Sequence, residues 1–314
     1  MKVRPGRDRA GSPALLNAGA GSRALLFVGH GTRSEAGTEM FLRTVREAVA
    51  KLPAAVARAA VVETAYLELR EPSVSTALAA LHAQGIRRVA LVPVLLFSAG
   101  HWKIDLPAHV EPFVRAHPDI EVCLGPVLGE DERLVALAAG RCLQAAGRME
   151  PADALLVVGR GSGDAAAHAS FLRMAEAIRR TCGAQRFAAG VLAGKGTSVE
   201  TAVIQLAEQR PARWVVVPYL LFDGHVARTL PDRLRAAWEA VRPAVGNGGG
   251  WAAQPGAGGR ADQAVTDGPW VVAPSLGPDP VLAGVLADRA REAWACLTAE
   301  AGTPPSGRGA LRSW

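Results

Sequence analysis

Three residues with metal-binding and proton-accepting chemistry each follow an apolar run. His30 closes Arg23–Gly29, Glu68 closes Val61–Leu67, and His101 comes after Val89–Phe97 and the small residues Ser98, Ala99 and Gly100. Neutral imidazole both ligates divalent ions and takes up a proton near neutral pH, and a carboxylate adds charge to the set. Two imidazoles and one carboxylate make a divalent-metal site with open positions, because a closed structural site needs a fourth protein ligand. An ion so held is labile. Taken singly, each histidine also reads as a turn cap and Glu68 as a solvated loop carboxylate; only their joint placement singles them out.

The elements that must position them follow from the pattern around them. Apolar runs bounded by small residues read as strands buried on both faces, as parallel strands are. Between them lie helical patterns over 37–52, 74–84, from about Leu106, and over 131–146, with a fourth strand at Ile120–Leu124. Ser34 and Ser73 are N-cap residue types. Four β-α units in succession predict an α/β fold with a doubly wound parallel sheet. Chemistry in such sheets gathers at the carboxyl edge, and strands one and three are neighbours in the common order. The loops carrying His30 and His101 therefore open on one crevice. Gly31-Thr32-Arg33-Ser34, ahead of a helix, has the makings of an anion cradle, but no P-loop spacing and no Gly-x-Ser-x-Gly elbow is present.

The pattern then repeats. Ala154–Gly159 and Arg160-Gly161-Ser162 return to the first strand and loop, and Phe171-Leu172 to Phe41-Leu42. Ser198–Ala202 matches Ser73–Ala77, Arg213–Pro231 matches Arg87–Pro107, and Pro274–Gly277 matches Pro126–Gly129. The expected organisation is a loose extension (1–22), a first domain (23–148), a repeat domain (152–300) with a flexible Gly-rich insert (244–268), and a loose tail (301–314). In the repeat His30 becomes Arg160, Glu68 aligns with Ala193, and only His225 matches His101. The first half thus reads as the working one and the second as degenerate, with no role expected of His225 or Asp223.

With 314 residues, 49% apolar and 20% charged, the composition is globular. No apolar run is long enough to cross a bilayer and the N-terminus lacks a signal-peptide core, so a cytoplasmic protein is expected. A net charge of +6 favours anionic partners, yet dispersed basic residues and 5% aromatics argue against nucleic acid. Cys123, Cys142, Cys182 and Cys296 stand singly and read as four buried thiols. His82, His109, His117 and His168 read as ordinary surface residues.

The blocks Leu26–Arg33, Tyr66–Ser73 and Val92–His101 with Asp105-Leu106-Pro107 resemble the sirohydrochlorin chelatases of the class II, ATP-independent chelatase family. The resemblance covers about Arg23–Arg235. It implies two α/β domains facing each other across a cleft, and insertion of Co²⁺ or Fe²⁺ into sirohydrochlorin on the way to cobalamin or sirohaem. The metal is then a substrate, and no permanent cofactor is expected. His30 would be metal ligand and proton acceptor, His101 the second ligand and Glu68 their carboxylate partner. Glu71 and the loop Leu96, Phe97, Ser98, Ala99, Gly100 would line the tetrapyrrole site. Arg33, with Arg70 and Lys103, would orient an anionic macrocycle. Thr32 stands where serine is commoner, which keeps the hydroxyl. No membrane partner is expected, and a fused repeat fits a monomer. Two other readings share the residues: a tetrapyrrole or metal carrier without insertion activity, and a histidine phosphatase. The latter has an arginine immediately before its histidine, where this chain has Gly29.

Overall fold

The computed structural model describes residues 23–98, 106–245, 268–298 and 310–313. The first half runs β1 (Arg23–Gly29), α1 (Glu35–Ala50), α2 (Ala54–Ala59), β2 (Ala60–Tyr66), α3 (Val74–Ala83), β3 (Arg88–Pro93), α4 (Leu106–Ala116), β4 (Glu121–Leu124) and α5 (Glu132–Ala146). The second runs β5 (Asp153–Gly159), α6 (Ala165–Cys182), β6 (Arg186–Val191), α7 (Val199–Ala207), β7 (Arg213–Tyr219), α8 (His225–Arg228), α9 (Leu230–Val245), β8 (Trp270–Val272), α10 (Pro280–Thr298) and β9 (Ala310–Ser313). All strand pairs are parallel, in the orders β2-β1-β3-β4-β9 and β6-β5-β7-β8. The expected α/β fold with two doubly wound sheets is what the chain forms, and β1 indeed lies beside β3.

Helix starts agree with their capping residues. Ser34, Ser73, Asp131, Asp164 and Ser198 each accept a backbone N–H of the first turn through the side chain. Two boundaries differ from expectation. The strand expected over Val89–Phe97 stops at Pro93, which has no N–H for a ladder, and Val94 makes one last bond to Val28 O at 2.8 Å. The tail expected to be loose contains β9, which extends the first sheet beyond β4. The insert expected from 244 begins inside α9; residues 246–267, like 1–22, lie outside those described.

One face of each sheet is covered from within its own half. Leu78, Leu106 and Val110 of α3 and α4 pack on the first sheet, and Val203, Leu206 and Leu234 of α7 and α9 on the second. The opposite faces are closed by exchange. Helix α10 lies on β3, β4 and α1 of the first half, while α5 lies on β7 and α6 of the second. A single core then runs through both sheets, from Phe27 and Leu128 to Leu155, Tyr219 and Leu286. Burying each helix's apolar side across the repeat boundary makes relative motion of the halves costly.

The exchange overturns the reading of four thiols. It brings Cys296 of α10 against Cys123 of β4, 173 residues away in sequence, and the two sulfurs are bonded. Cys142 and Cys182 remain thiols, buried and hydrogen-bonded to each other where α5 meets α6. Among the described residues no helix is long and apolar enough to cross a membrane.

Candidate active site

The loops after β1 and β2 continue their strands' ladder by two bonds. Leu67 N–H donates to Gly29 O and Glu68 N–H to His30 O, both at 3.0 Å. Gly31 then turns at φ +96°, and a Cβ there would stand 1.8 Å from the Glu68 carbonyl oxygen. Only glycine lets the two loops close this far. The result puts His30 Nδ1 3.1 Å from Glu68 Oε1. A carboxylate oxygen accepts only, so Nδ1 carries the proton and Nε2 is the lone-pair nitrogen of the neutral ring. His30 is set into the wall at 16% exposure, whereas Glu68 stands half open at 47%.

This pair faces a cavity of about 600 Å³ between the carboxyl edges of the two sheets. Its walls are largely apolar. Val94, Leu95, Leu96 and Phe97 come from the first half, and Tyr219, Leu220, Leu221 and Phe222 hold the matching places in the second. The ring of Phe97 stacks on Tyr219 with centroids 6.1 Å apart, so the two walls touch at the cleft floor. The apolar run that overshoots β3 is therefore cleft wall, suited to the faces of a flat hydrophobic ligand.

The repeat retains the backbone of this arrangement without its chemistry. Leu192 and Ala193 donate to Gly159 O and Arg160 O at 3.0 and 2.8 Å, and Gly161 turns at φ +89°. Arg160 and Ala193 thus occupy the places of His30 and Glu68. Arg160 lines the same cavity yet stays exposed; what burial it has draws its guanidinium below the usual arginine range, and the Glu68 carboxylate opposes that.

Other expected residues fare differently. His101, Ala99, Gly100 and Lys103 lie outside the described residues. Leu96, Phe97 and Arg33 line the cavity; Ser98 follows them without lining it. Glu71 does not line the cavity either. Its Oε2 accepts the Ser73 N–H at 2.6 Å, which commits it to the start of α3. Arg70 is engaged as well, with Nη2 2.5 Å from Glu35 Oε1. Asp223 accepts a bond from Ser275 Oγ at 2.5 Å, and of His225 only the backbone, in α8, is described. His82, expected as an ordinary surface residue, faces Asp119 at 3.0 Å. His168, expected on the surface, lines the cavity from the first turns of α6. So does Arg228, whose Nη2 donates to Ser34 Oγ across the cleft at 2.9 Å. Repeat alignment places Arg160 beside this site, but nothing local in the sequence marks His168 or Arg228. Among the described residues no third His, Cys, Asp or Glu joins His30 and Glu68 in a metal-holding group.

The sequence model of the CbiX family matches residues 24–145 and again 154–293. The chain belongs to the CbiX family. The two matched segments coincide with the two repeats, so both halves descend from one CbiX unit, including the half without the His30–Glu68 pair. Among curated relatives, the sirohydrochlorin ferrochelatase of Priestia megaterium is 28% identical over 212 residues, 67% of this chain and 77% of that protein. The sirohydrochlorin cobaltochelatase of the same organism is 24% identical over 216 residues, 68% and 69% of the two chains. In fold, the chain is similar to SirB from Bacillus subtilis with Fe³⁺, at TM-score 0.66 and 22% identity over 86% of this chain and 95% of that one.

Proposed function

We propose that this CbiX protein inserts a divalent metal ion, Co²⁺ or Fe²⁺, into sirohydrochlorin without ATP. The observation that carries the reading is the His30–Glu68 pair at 3.1 Å, opening on an apolar cleft of about 600 Å³ between two CbiX repeats. The named activities of the curated relatives point the same way. Insertion exchanges M²⁺ for two pyrrole protons, so the site must release an ion and accept protons together. Glu68 holds the Nδ1 proton of His30 and so presents Nε2 as ligand to the ion or as base to a pyrrole N–H. His101, which follows β3 in the sequence, completes the ligand set in this reading. Few protein ligands leave positions for ring nitrogens to replace water. Leu96 and Phe97 from one side, with Leu221 and Phe222 from the other, hold the macrocycle faces. Arg33 meets its carboxylates at the rim. The product serves cobalamin or sirohaem formation, in the cytoplasm.

The test follows the visible absorbance of sirohydrochlorin with Co²⁺ or Fe²⁺, comparing wild type with His30→Ala. Accelerated conversion by wild type and background conversion by the variant is the expected result. Tetrapyrrole bound equally by both, with no acceleration, would instead identify a carrier.

A further inference from the structure

The second half brings to the cleft a histidine that the insertion chemistry above does not use. His168 lines the cavity from the start of α6, at the place that Thr38 holds in α1. Thr38 spends its hydroxyl on Ser34 O at 3.1 Å. The half-buried imidazole of His168 makes no hydrogen bond among the described residues, and its Nδ1 is shut off from solvent as well. Room for the ring comes from Gly196, which turns at φ +117°. A Cβ there would fall 2.3 Å from Cε1 and 2.9 Å from Nε2 of His168, so no other residue fits while the ring stays. Val191 N–H donates to Thr197 O as Tyr66 N–H donates to Pro72 O, which sets Gly196 at the place of Glu71. The repeat thus carries two exchanges, histidine for threonine on the helix and glycine for glutamate on the loop against it. The first requires the second.

The tautomer follows from the burial. An N–H buried without an acceptor is rarer in proteins than a lone pair buried without a donor, so Nδ1 is the bare nitrogen and Nε2 carries the proton. His30 has the opposite arrangement, because Glu68 accepts from its Nδ1 and leaves the lone pair on Nε2. The two histidines of the cleft wall are therefore unlike. One offers a lone pair to an ion or a pyrrole proton, the other an N–H to an anion.

Resting on the function proposed above, we propose that His168 binds a peripheral carboxylate of the tetrapyrrole through Nε2–H and so anchors the macrocycle on the second half. His168 touches the substrate but none of the reacting atoms. A neutral donor suits this place, since it holds a carboxylate without adding positive charge to a cleft that must admit M²⁺. The half that lacks the His30–Glu68 pair then has a task of its own, to hold the acceptor while the first half handles the ion.

The test uses the full chain, with metal-free sirohydrochlorin titrated by visible absorbance, Co²⁺ by calorimetry, and insertion rates measured alongside. His168→Phe keeps a ring against Gly196 and removes the N–H. It should bind sirohydrochlorin about tenfold more weakly, as loss of one hydrogen bond to a charged group requires, with KM raised alike. Its kcat should stay within about twofold of wild type and its Co²⁺ affinity should not move, because the contact is made equally before and during insertion. His168→Gln still donates an N–H and should recover most of the affinity. Gly196→Ala should reproduce the loss, since its Cβ displaces the ring although residue 196 does not itself line the cavity. With the fully esterified macrocycle the penalty of His168→Phe should shrink to about twofold or less, because a neutral ester oxygen accepts more weakly than a carboxylate. Unchanged sirohydrochlorin affinity in folded His168→Phe would overturn the proposal, and so would an equal penalty on the ester. A fall in kcat at unchanged affinity would overturn it too, by moving His168 into the chemistry. Failure of the insertion reading shows separately, as a wild type that binds sirohydrochlorin and Co²⁺ yet joins them no faster than they join alone.

Discussion

Replacing Gly31 by alanine tests whether the closure of two loops makes the centre. A Cβ at Gly31 would meet the Glu68 carbonyl oxygen at 1.8 Å, and φ +96° is a backbone region that alanine rarely enters. The clashing atom belongs to backbone, so no rotamer change relieves it. Strain of this kind costs about 1–3 kcal/mol. Backing the Glu68 strand away by more than an ångström also breaks the 3.0 Å bond from Glu68 N–H to His30 O, for about 1 kcal/mol more. Gly31→Ala should therefore lose about 2–4 kcal/mol of stability, and its insertion rate should drop on the order of 10²-fold, because a shift of that size spoils a reacting geometry. Gly161→Ala supplies the control. Its Cβ would meet the Ala193 carbonyl oxygen at 1.6 Å with φ +89°, so the strain is matched, but no His–Glu pair depends on that loop. Urea melts should show comparable destabilisation of both proteins. Initial rates of metal insertion, taken where both are folded, should fall steeply only for Gly31→Ala. Equal rate losses at equal folded fraction would refute the assignment of the centre to the first repeat.

Three further predictions rest on other features. His101→Ala should abolish insertion while His225→Ala leaves most of it, in the same absorbance assay; equal losses would show that the wrong half has been credited. Glu200 is held down to about 2, against an ordinary 4.5, chiefly by its hydrogen bonds with Arg233, and Glu130 likewise to about 2 by Arg173. Both folded values are depressed, so their contribution is complete above about pH 4.5 and is lost as pH falls towards 2. Melting temperature followed through that window should decline less in Glu200→Gln than in wild type, and parallel declines would remove this pair from the acid response. Finally, Cys296→Ser, or reductant added to wild type, should lower the melting temperature by several degrees. Closing a 173-residue separation is worth at most about 5 kcal/mol in chain entropy. Melting that reductant leaves untouched would show that α10 stays docked without its tether.

Much of this was legible in advance, and for identifiable reasons. Strands such as Arg23–Gly29 and helices opening at Ser34, Ser73 and Asp131 are encoded locally, by apolar runs and side-chain caps within a few residues. The repeat was legible because both copies keep the same short motifs. The placement of His30 beside Glu68 could be anticipated because adjacent parallel strands deliver their loops to one edge. The apolar stretch through Phe97 misled, since cleft wall and buried strand share a composition; only the end of the ladder at Pro93 separates them. Glu71 carries a similar ambiguity. A carboxylate near a site and a carboxylate bonded to the next helix look alike until the Ser73 N–H is seen to be its partner.

The amino-acid sequence by itself determined the α/β units, their duplication, the loss of His30 and Glu68 equivalents in the second copy, and the edge of the sheet where chemistry gathers. Each of these rests on interactions within one β-α unit or between neighbouring strands. Tertiary structure alone decided that α5 and α10 trade sheets, that Cys123 meets Cys296, that β9 pairs with β4, and that His168 and Arg228 reach the cleft of the first repeat's site. Those outcomes depend on which apolar faces remain uncovered once both sheets exist. Residues more than a hundred positions apart settle that question together, and no local period records it.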